Sequence, residues 1–158
     1  MAKAKQLPES SGKKIIVVNK KARFRYHVIE TYEAGIVLLG SEIKSVRLGH
    51  VSIDESYVRP QGNEIFLINA HIKEYPFSKH EKIDPLRPRK LLLSRPEIEK
   101  LRGRVEMKGL TIIPISIYLK KGRAKLEIAL AKGKDTPDKR LTIKEREINR
   151  EMKRYVKR

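Results

Sequence analysis

The side chains able to do acid–base, nucleophilic or metal chemistry are few and scattered. Four histidines, His27, His50, His71 and His80, stand outside any HExxH spacing that would put two ligands on one helix face. Cysteine is absent, which removes thiolate zinc sites, disulfides and cysteine nucleophiles together. No glycine-rich loop opens a helix after a strand, so the phosphate cradles of nucleotide enzymes have no counterpart. The best catalytic combination is His80 with Asp84 and Glu33 as a metal-dependent nuclease site, but it sets one acid in a proline-rich loop with no supporting spacing. The expectation is therefore a non-enzyme with no metal and no cofactor.

Cations are the chemistry this chain does have in quantity. Lys and Arg number 37 against 19 acids in 158 residues, a formal net charge of +18, far beyond what solubility needs and enough to collect polyanions. Nucleic acid or an anionic membrane is the partner such a field selects. No apolar run approaches the roughly 20 residues of a spanning helix, and the N-terminus lacks a signal-peptide core, so a cytoplasmic protein with no membrane partner is expected. Aromatic residues make up only 6% of the chain, which favours shape and phosphate recognition of a folded RNA over the stacked aromatics of sequence-tolerant single-strand binders; no DNA partner is expected. A generic structured-RNA or rRNA-binding module is the broad reading.

The elements that must position these cations are organised around Tyr26 to Gly49. Residues 26 to 32 alternate in the period of a strand, Ala34-Gly35 interrupts it at a bulge or coil, and Ile36-Val37-Leu38-Leu39 resumes it as a buried run. Ser41 is placed to cap a short helix over 41–48, with Ile43 and Val46 on its apolar side, Lys44 and Arg47 together on another, and Gly49 as its left-handed exit. Residues 1–14 are polar and basic with Pro8 and Gly12, a disordered arm. Ile15 to Val18 is a strand. Val51 to Arg59 and Glu64 to Asn69 form a hairpin around Pro60-Gln61-Gly62-Asn63, Ala70 to Tyr75 is a further strand, 76–88 is an exposed loop, and Arg89 to Leu93 is a short strand.

Ser94 and Glu97 have capping-box spacing with Pro96 in the first turn, predicting a helix over 95–108 in which Ile98, Leu101 and Val105 share a face, Lys108 meets the dipole and Gly109 ends it. Leu110 to Lys120 and Ala124 to Ala131 are strands joined at Lys121-Gly122-Arg123, with Leu126, Ile128 and Leu130 facing one way. Short connections between antiparallel strands, with two interleaved helices, predict a mainly β chain: an OB-like antiparallel barrel over 15–131 with flanking helices. Residues 132–158 form a basic tail. Gly133 and Pro137 break its first third, after which Thr142 and Glu145 could cap a helix over 142–157 with Leu141, Ile148, Met152 and Tyr155 recurring along it. Arg146, Arg150, Arg154 and Arg158 stand four apart and repel, so this tail is expected to be disordered when free and helical when bound to a polyanion.

From Asn19 to the C-terminus the residues resemble one family, the SsrA-binding proteins (small protein B, SmpB), bacterial partners of transfer-messenger RNA. The motifs carrying the resemblance are NKKAR at 19–23, TYEAGIVLLGSEIKSVRLG at 31–49, DPLRPRKLLL at 84–93, AKGKDTPDKR at 131–140 and IKERE at 143–147. It implies an OB-like barrel that grips the tRNA-like domain of that RNA, which also carries elongation factor Tu, and a tail that enters the A site of a stalled ribosome against 16S rRNA during trans-translation. It carries the RNA face over to Asn19, Glu33 and Leu92. Arg23, Lys44, Arg47, Arg89 and Lys90 join them on physical grounds, as cations beside those motifs able to meet phosphates. Glu33 could accept from a base amino group or a 2′-hydroxyl, or orient Lys44 or Arg47. In the tail, Gly133, Asp138, Lys139 and Arg140 match the ribosome-facing segment, and Tyr155, Val156 and Lys157 its functional end. Lys132, Lys134, Lys144, Arg146 and Arg150 are the accompanying cations. Pro137 and Phe24 stand where relatives often carry histidine.

Overall fold

The computed structural model describes residues 12–78, 82–107, 109–134 and 136–156, with side chains over these stretches except 136–142 and 155–156. In chain order the elements are β1 (Lys13–Val18), α1 (Ala22–Arg25), β2 (Tyr26–Ile36), α2 (Gly40–Arg47), β3 (Val51–Ser52), β4 (Tyr57–Gln61), β5 (Glu64–Ile68), β6 (His71–Ile72), β7 (Arg89–Leu92), α3 (Arg95–Val105), β8 (Leu110–Lys120), β9 (Arg123–Gly133) and α4 (Thr136–Val156). The mainly β class with flanking helices is what the structure shows. Every strand pairing is antiparallel, and the main sheet closes on itself in the order β8-β4-β5-β7-β2-β9 and back to β8. Strand β8 can serve three neighbours because it is long: β9 takes one edge, while β1 pairs with Ser116 to Lys120 and β4 with Ile112 on the other. The two-residue strands β3 and β6 pair separately.

The closed sheet wraps its apolar residues inward. Ile53, Ile65, Leu67, Leu91, Ile112, Ile117, Leu126, Ile128 and Leu130 are buried together, with Val46 from α2 and Leu101 from α3 closing the ends. Removing a side chain such as Leu101 would leave a cavity and cost about 2–5 kcal/mol. A smaller cluster lies outside the ring, where Ala22 of α1 sits with Ile113, Ile115, Ala129 and Ala131. Both faces of β8 are therefore covered. The change of side follows a register shift between Pro114 and Ser116, at a proline that a regular ladder would not accept.

Several expectations are corrected in detail. Strand β1 begins at Lys13, inside the stretch expected to be an arm; residues 1–11 lie outside the described residues. Strand β2 runs unbroken through Ala34-Gly35, and its register shift falls between Val28 and Glu30. Gly35 serves close approach instead: a Cβ added there would lie 3.2 Å from the Leu92 Cβ. The chain leaves the sheet after Ile36, once the Val37 N–H has donated to the Lys90 carbonyl at 3.0 Å. Helix α2 is capped by Glu42, whose Oε1 accepts from the Leu39 N–H at 3.0 Å, while Ser41 Oγ is buried without a partner. Gly49, at φ +79°, is the left-handed exit expected of it.

The strand expected over 51–59 is split by a turn in which Ser56 donates to the Ile53 carbonyl from its N–H at 3.2 Å and from its hydroxyl at 2.7 Å. The strand expected over 70–75 is reduced to β6. Helix α3 opens as the Ser94/Glu97 spacing requires, with Ser94 N–H donating to Glu97 Oε2 at 3.2 Å, and ends at Val105; Lys108 is outside the described residues. Helix α4 starts at Thr136, well before Thr142, so Thr142 is interior and not a cap, and Pro137 occupies the first turn, where its missing N–H costs nothing. Lys132 and Gly133, expected in the tail, are the last residues of β9, opposite His27 and Tyr26.

Candidate nucleic-acid interface

Strands β2 and β7 run side by side with Gly35 opposite Leu92 and Ile36 opposite Leu91. Alternation puts Leu91 in the core and Leu92 outside, where it remains 54% exposed. Glu33 stands two residues before Gly35 and so shares its outer face. The glycine is what lets Leu92 lie close against β2.

Glu33 is held by an unexpected set of neighbours. Its Oε2 accepts from the Tyr118 hydroxyl of β8 and lies 3.8 Å from Lys13 Nζ, while its Oε1 lies 3.6 Å from Lys120 Nζ. Lys13 Nζ also stands 4.7 Å above the centre of the Tyr118 ring. The phenol hydrogen bond holds the Glu33 carboxyl below the usual carboxylate range, and Lys120, Lys13 and Lys125 reinforce it against slight desolvation. Burial, with the hydrogen bond to Glu33, pushes the Tyr118 phenol well up. Glu33 is thus an anion at any physiological pH, fixed in direction by one donor and flanked by two cations. Lys44 and Arg47, named as its possible dependants, are not its partners.

Those two side chains are nevertheless exposed on α2. Lys44 Nζ sits 5.4 Å from the centre of the Tyr75 ring, and Arg47 Nη2 donates to the Gly122 carbonyl at 3.5 Å, at the turn between β8 and β9. That turn adds Lys120, Lys121 and Arg123, so β1, α2 and the β8–β9 turn present cations around the end of β2 that bears Glu33. Lys90 is exposed on β7 and paired with Glu64 at 2.9 Å.

Arg89 is a correction. It is wholly buried, its Nε bonding Glu42 Oε2 at 2.6 Å, its Nη1 the Ala70 carbonyl at 2.7 Å and its Nη2 the Pro85 carbonyl at 3.0 Å. Arg87 Nη2 donates to the other Glu42 oxygen. Withdrawn from the surface, the guanidinium cannot reach a phosphate, so Arg89 ties α2 to the loop before β7. Burial alone would raise the Glu42 carboxyl; the bonds from Arg87, the Leu39 N–H and Arg89 outweigh it and hold the group below its ordinary range.

Asn19 stands elsewhere. Its side chain is buried, with Nδ2 donating to the Pro114 carbonyl at 3.0 Å and the Ile53 carbonyl at 3.5 Å, while the Oδ1 is buried without a partner. It pegs the end of β1 to the bulged part of β8. Arg23 is exposed one turn on, in α1, near the root of α4, where Lys134 N–H donates to the Arg25 carbonyl at 2.9 Å. The structure therefore joins Glu33 and Leu92 on one face and sets Asn19 and Arg23 at the other end of β2.

On α4, Lys144, Arg146 and Arg150 are exposed, as are Ile143, Ile148 and Met152. The side chains of Asp138, Lys139, Arg140, Tyr155 and Val156, and all of Lys157, lie outside the described residues, as does His80. Asp84 accepts from the Leu86 N–H at 3.0 Å, which makes it a turn residue of its loop. Among the described residues no three acids or histidines gather as metal ligands, and no helix is long and apolar enough to cross a membrane. Tyr118, Lys13, Lys120 and Glu42 were missed from the sequence because each acquires its role only through strand pairing or a distant partner.

The profile of the family described as SmpB protein matches residues 16–158. An SsrA-binding protein of Allorhizobium ampelinum is 52% identical over 145 residues, covering 91% of this chain and 92% of that protein. One of Novosphingobium aromaticivorans is 50% identical over 151 residues, covering 95% and 94%. A solved structure described as "tmRNA-SmpB: a journey to the center of the bacterial ribosome" superposes with a TM-score of 0.64 at 44% identity, covering 76% of this chain and 85% of that one.

Proposed function

The chain belongs to the SmpB protein family, and on that premise we propose that it binds the tRNA-like domain of transfer-messenger RNA and carries it to the A site of a stalled ribosome. The observation that carries the reading is the placement of Glu33 and Leu92 on one outer face, either side of Gly35, with Lys13 and Lys120 beside the carboxylate. An apolar side chain on the same face as a fixed anion and two cations can offer a base an apolar face, an acceptor for its amino edge and counter-charge for the phosphates that follow. Lys44, Arg47 and Lys90 extend the phosphate-binding surface. Arg23 extends it from the far end of β2. Asn19 contributes by fixing the backbone between β1 and β8.

The protein acts as a binder and not as a catalyst, in the cytoplasm, with elongation factor Tu as a further partner on the same RNA. The tail from Lys134 onward is the ribosomal element: Asp138, Lys139 and Arg140 at its start, the cations Lys144, Arg146 and Arg150 along it, and Tyr155, Val156 and Lys157 at its end meet 16S rRNA. The contact would stabilise α4, since like charges four residues apart repel until phosphates neutralise them.

The test is a binding titration with the tRNA-like domain against an elongator tRNA of equal length, with duplex DNA as competitor. Preference for the tRNA-like domain, undiminished by DNA, is the expected result. Equal affinity for both RNAs would reduce the protein to a generic structured-RNA binder.

A further inference from the structure

Phe77 is 76% exposed, more than any other large apolar side chain among the described residues. It is not there through looseness of the chain. Tyr75 to Ser78 form a tight turn in which the Tyr75 carbonyl accepts from the Ser78 N–H at 3.1 Å and from the Ser78 hydroxyl at 2.9 Å. Pro76, in the second position, fixes the backbone angle that such a turn requires, and Phe77 follows in the third. The turn thus holds an aromatic ring out in water, against the ordinary preference for burying it.

The ring has organised surroundings. Tyr75 meets it edge to face, with centroids 5.5 Å apart and planes at 64°. Lys44 Nζ lies over the Tyr75 ring at 5.4 Å, forms no ion pair among the described residues, and is followed one turn later by the exposed Arg47. An aromatic face backed by a second ring and bordered by a lysine matches the two halves of a nucleotide, a flat base and its phosphate. A nucleotide supplies both in one covalent unit, whereas an acidic protein surface would need two separate side chains to do so.

We propose that Phe77 and Tyr75 form a stacking platform for one unpaired base of the bound RNA, with Lys44 placed to meet its phosphate. The inference rests on the proposed function and adds a subsite to it, on the α2 side of the molecule and separate from the Glu33–Leu92 face. It also qualifies the low aromatic content of the chain: few rings are present, but one is committed to the surface.

The chain contains no tryptophan, so Phe77→Trp introduces a single fluorophore at the platform. On titration with the tRNA-like domain, that variant should keep the parent's affinity and lose much of its fluorescence as a base stacks on it. Phe77→Ala and Phe77→Leu should bind about 10- to 100-fold more weakly, with melting temperatures unchanged because the side chain buries little. Lys44→Gln should weaken binding and reduce its salt dependence. If the parent binds the RNA and Phe77→Ala binds it equally well, or the introduced tryptophan is not quenched, the platform is wrong and the proposed function stands. If the parent shows no preference for the tRNA-like domain, the proposed function falls and the platform falls with it.

Discussion

Arg89 meets Glu42 at 2.6 Å, Nε to Oε2, with the arginine fully and the glutamate almost fully withdrawn from water. Two remote stretches of chain, the start of α2 and the start of β7, are fixed to each other by this contact. The guanidinium also donates to the Ala70 and Pro85 carbonyls, so the pair anchors the chain just before β6 and just before β7 as well.

Breaking one side of a buried pair strands the other charge, so Arg89→Ala is expected to destabilise the fold by about 3–5 kcal/mol. Urea denaturation measures this directly. RNA affinity per folded molecule should change little, which separates Arg89 from Lys90, its exposed neighbour; a selective loss of affinity without loss of stability would restore Arg89 to the interface.

The same pair gives the protein an acid limit. Glu42 has a native pKa below its unfolded value, so the unfolded chain binds more protons and stability rises with pH through that window. The contribution is complete above the ordinary carboxylate range and is lost as pH falls through the lowered native value. The stability gap between the parent and Glu42→Gln should therefore be full near neutrality and close between about pH 6 and about pH 3. Chemical denaturation at several pH values checks it; a constant gap would mean Glu42 is not charged in the fold.

Gly35 should resist enlargement because its neighbour is the Leu92 stem and not solvent. Gly35→Val is expected to cost about 1–3 kcal/mol by overpacking and to lower RNA affinity by lifting Leu92 from its place. Adding Leu92→Ala should recover much of the stability and none of the affinity. Thermal melting and a gel shift on the three variants test both halves.

Tyr118 positions Glu33 and should be coupled to it. Tyr118→Phe is expected to lower stability by no more than about 1 kcal/mol, given the partial exposure of the carboxylate. Its effect on RNA affinity should be non-additive with that of Glu33→Gln, since each removes the same fixed acceptor. Additive losses in a double-mutant cycle would separate the two residues.

For α4, prolines at Ile148 and Met152 should abolish its helical circular-dichroism signal on the ribosome, at about 3 kcal/mol for each interior proline. The sheet does not depend on these exposed positions, so affinity for the isolated tRNA-like domain should persist while peptide transfer on stalled ribosomes is lost. Rescue equal to the parent's would show the tail working as a flexible charge run.

What was legible in the sequence was what local chemistry decides. The β8–β9 hairpin is written in the alternation of Leu126, Ile128 and Leu130 and in Gly122 at φ +75°. The Ser94–Glu97 spacing fixed the start of α3. The split between β3 and β4 was not legible, because it depends on a Ser56 hydroxyl and not on a glycine or proline. Pro137 read as a breaker when it is a first-turn residue of α4. Arg89 read as a surface cation because its partner Glu42 is 47 positions away, and the Tyr118 donor to Glu33 is 85 positions away. Resemblance led to Glu33 and Leu92; only the pairing of β2 with β7 shows that they share an outer face.

The closed sheet also dictates when this chain can fold. Strand β2 cannot complete its hydrogen bonds until β9 arrives from the far end of the sequence, and β1 waits likewise for β8. A copy cut short before Arg123 retains most of the apolar residues but leaves β2 and β8 with open edges, the condition that invites aggregation and proteolysis. Folding competence is therefore withheld until synthesis is almost finished. A ribosome that halts on this protein's own message before β9 holds a chain that has no native state to reach.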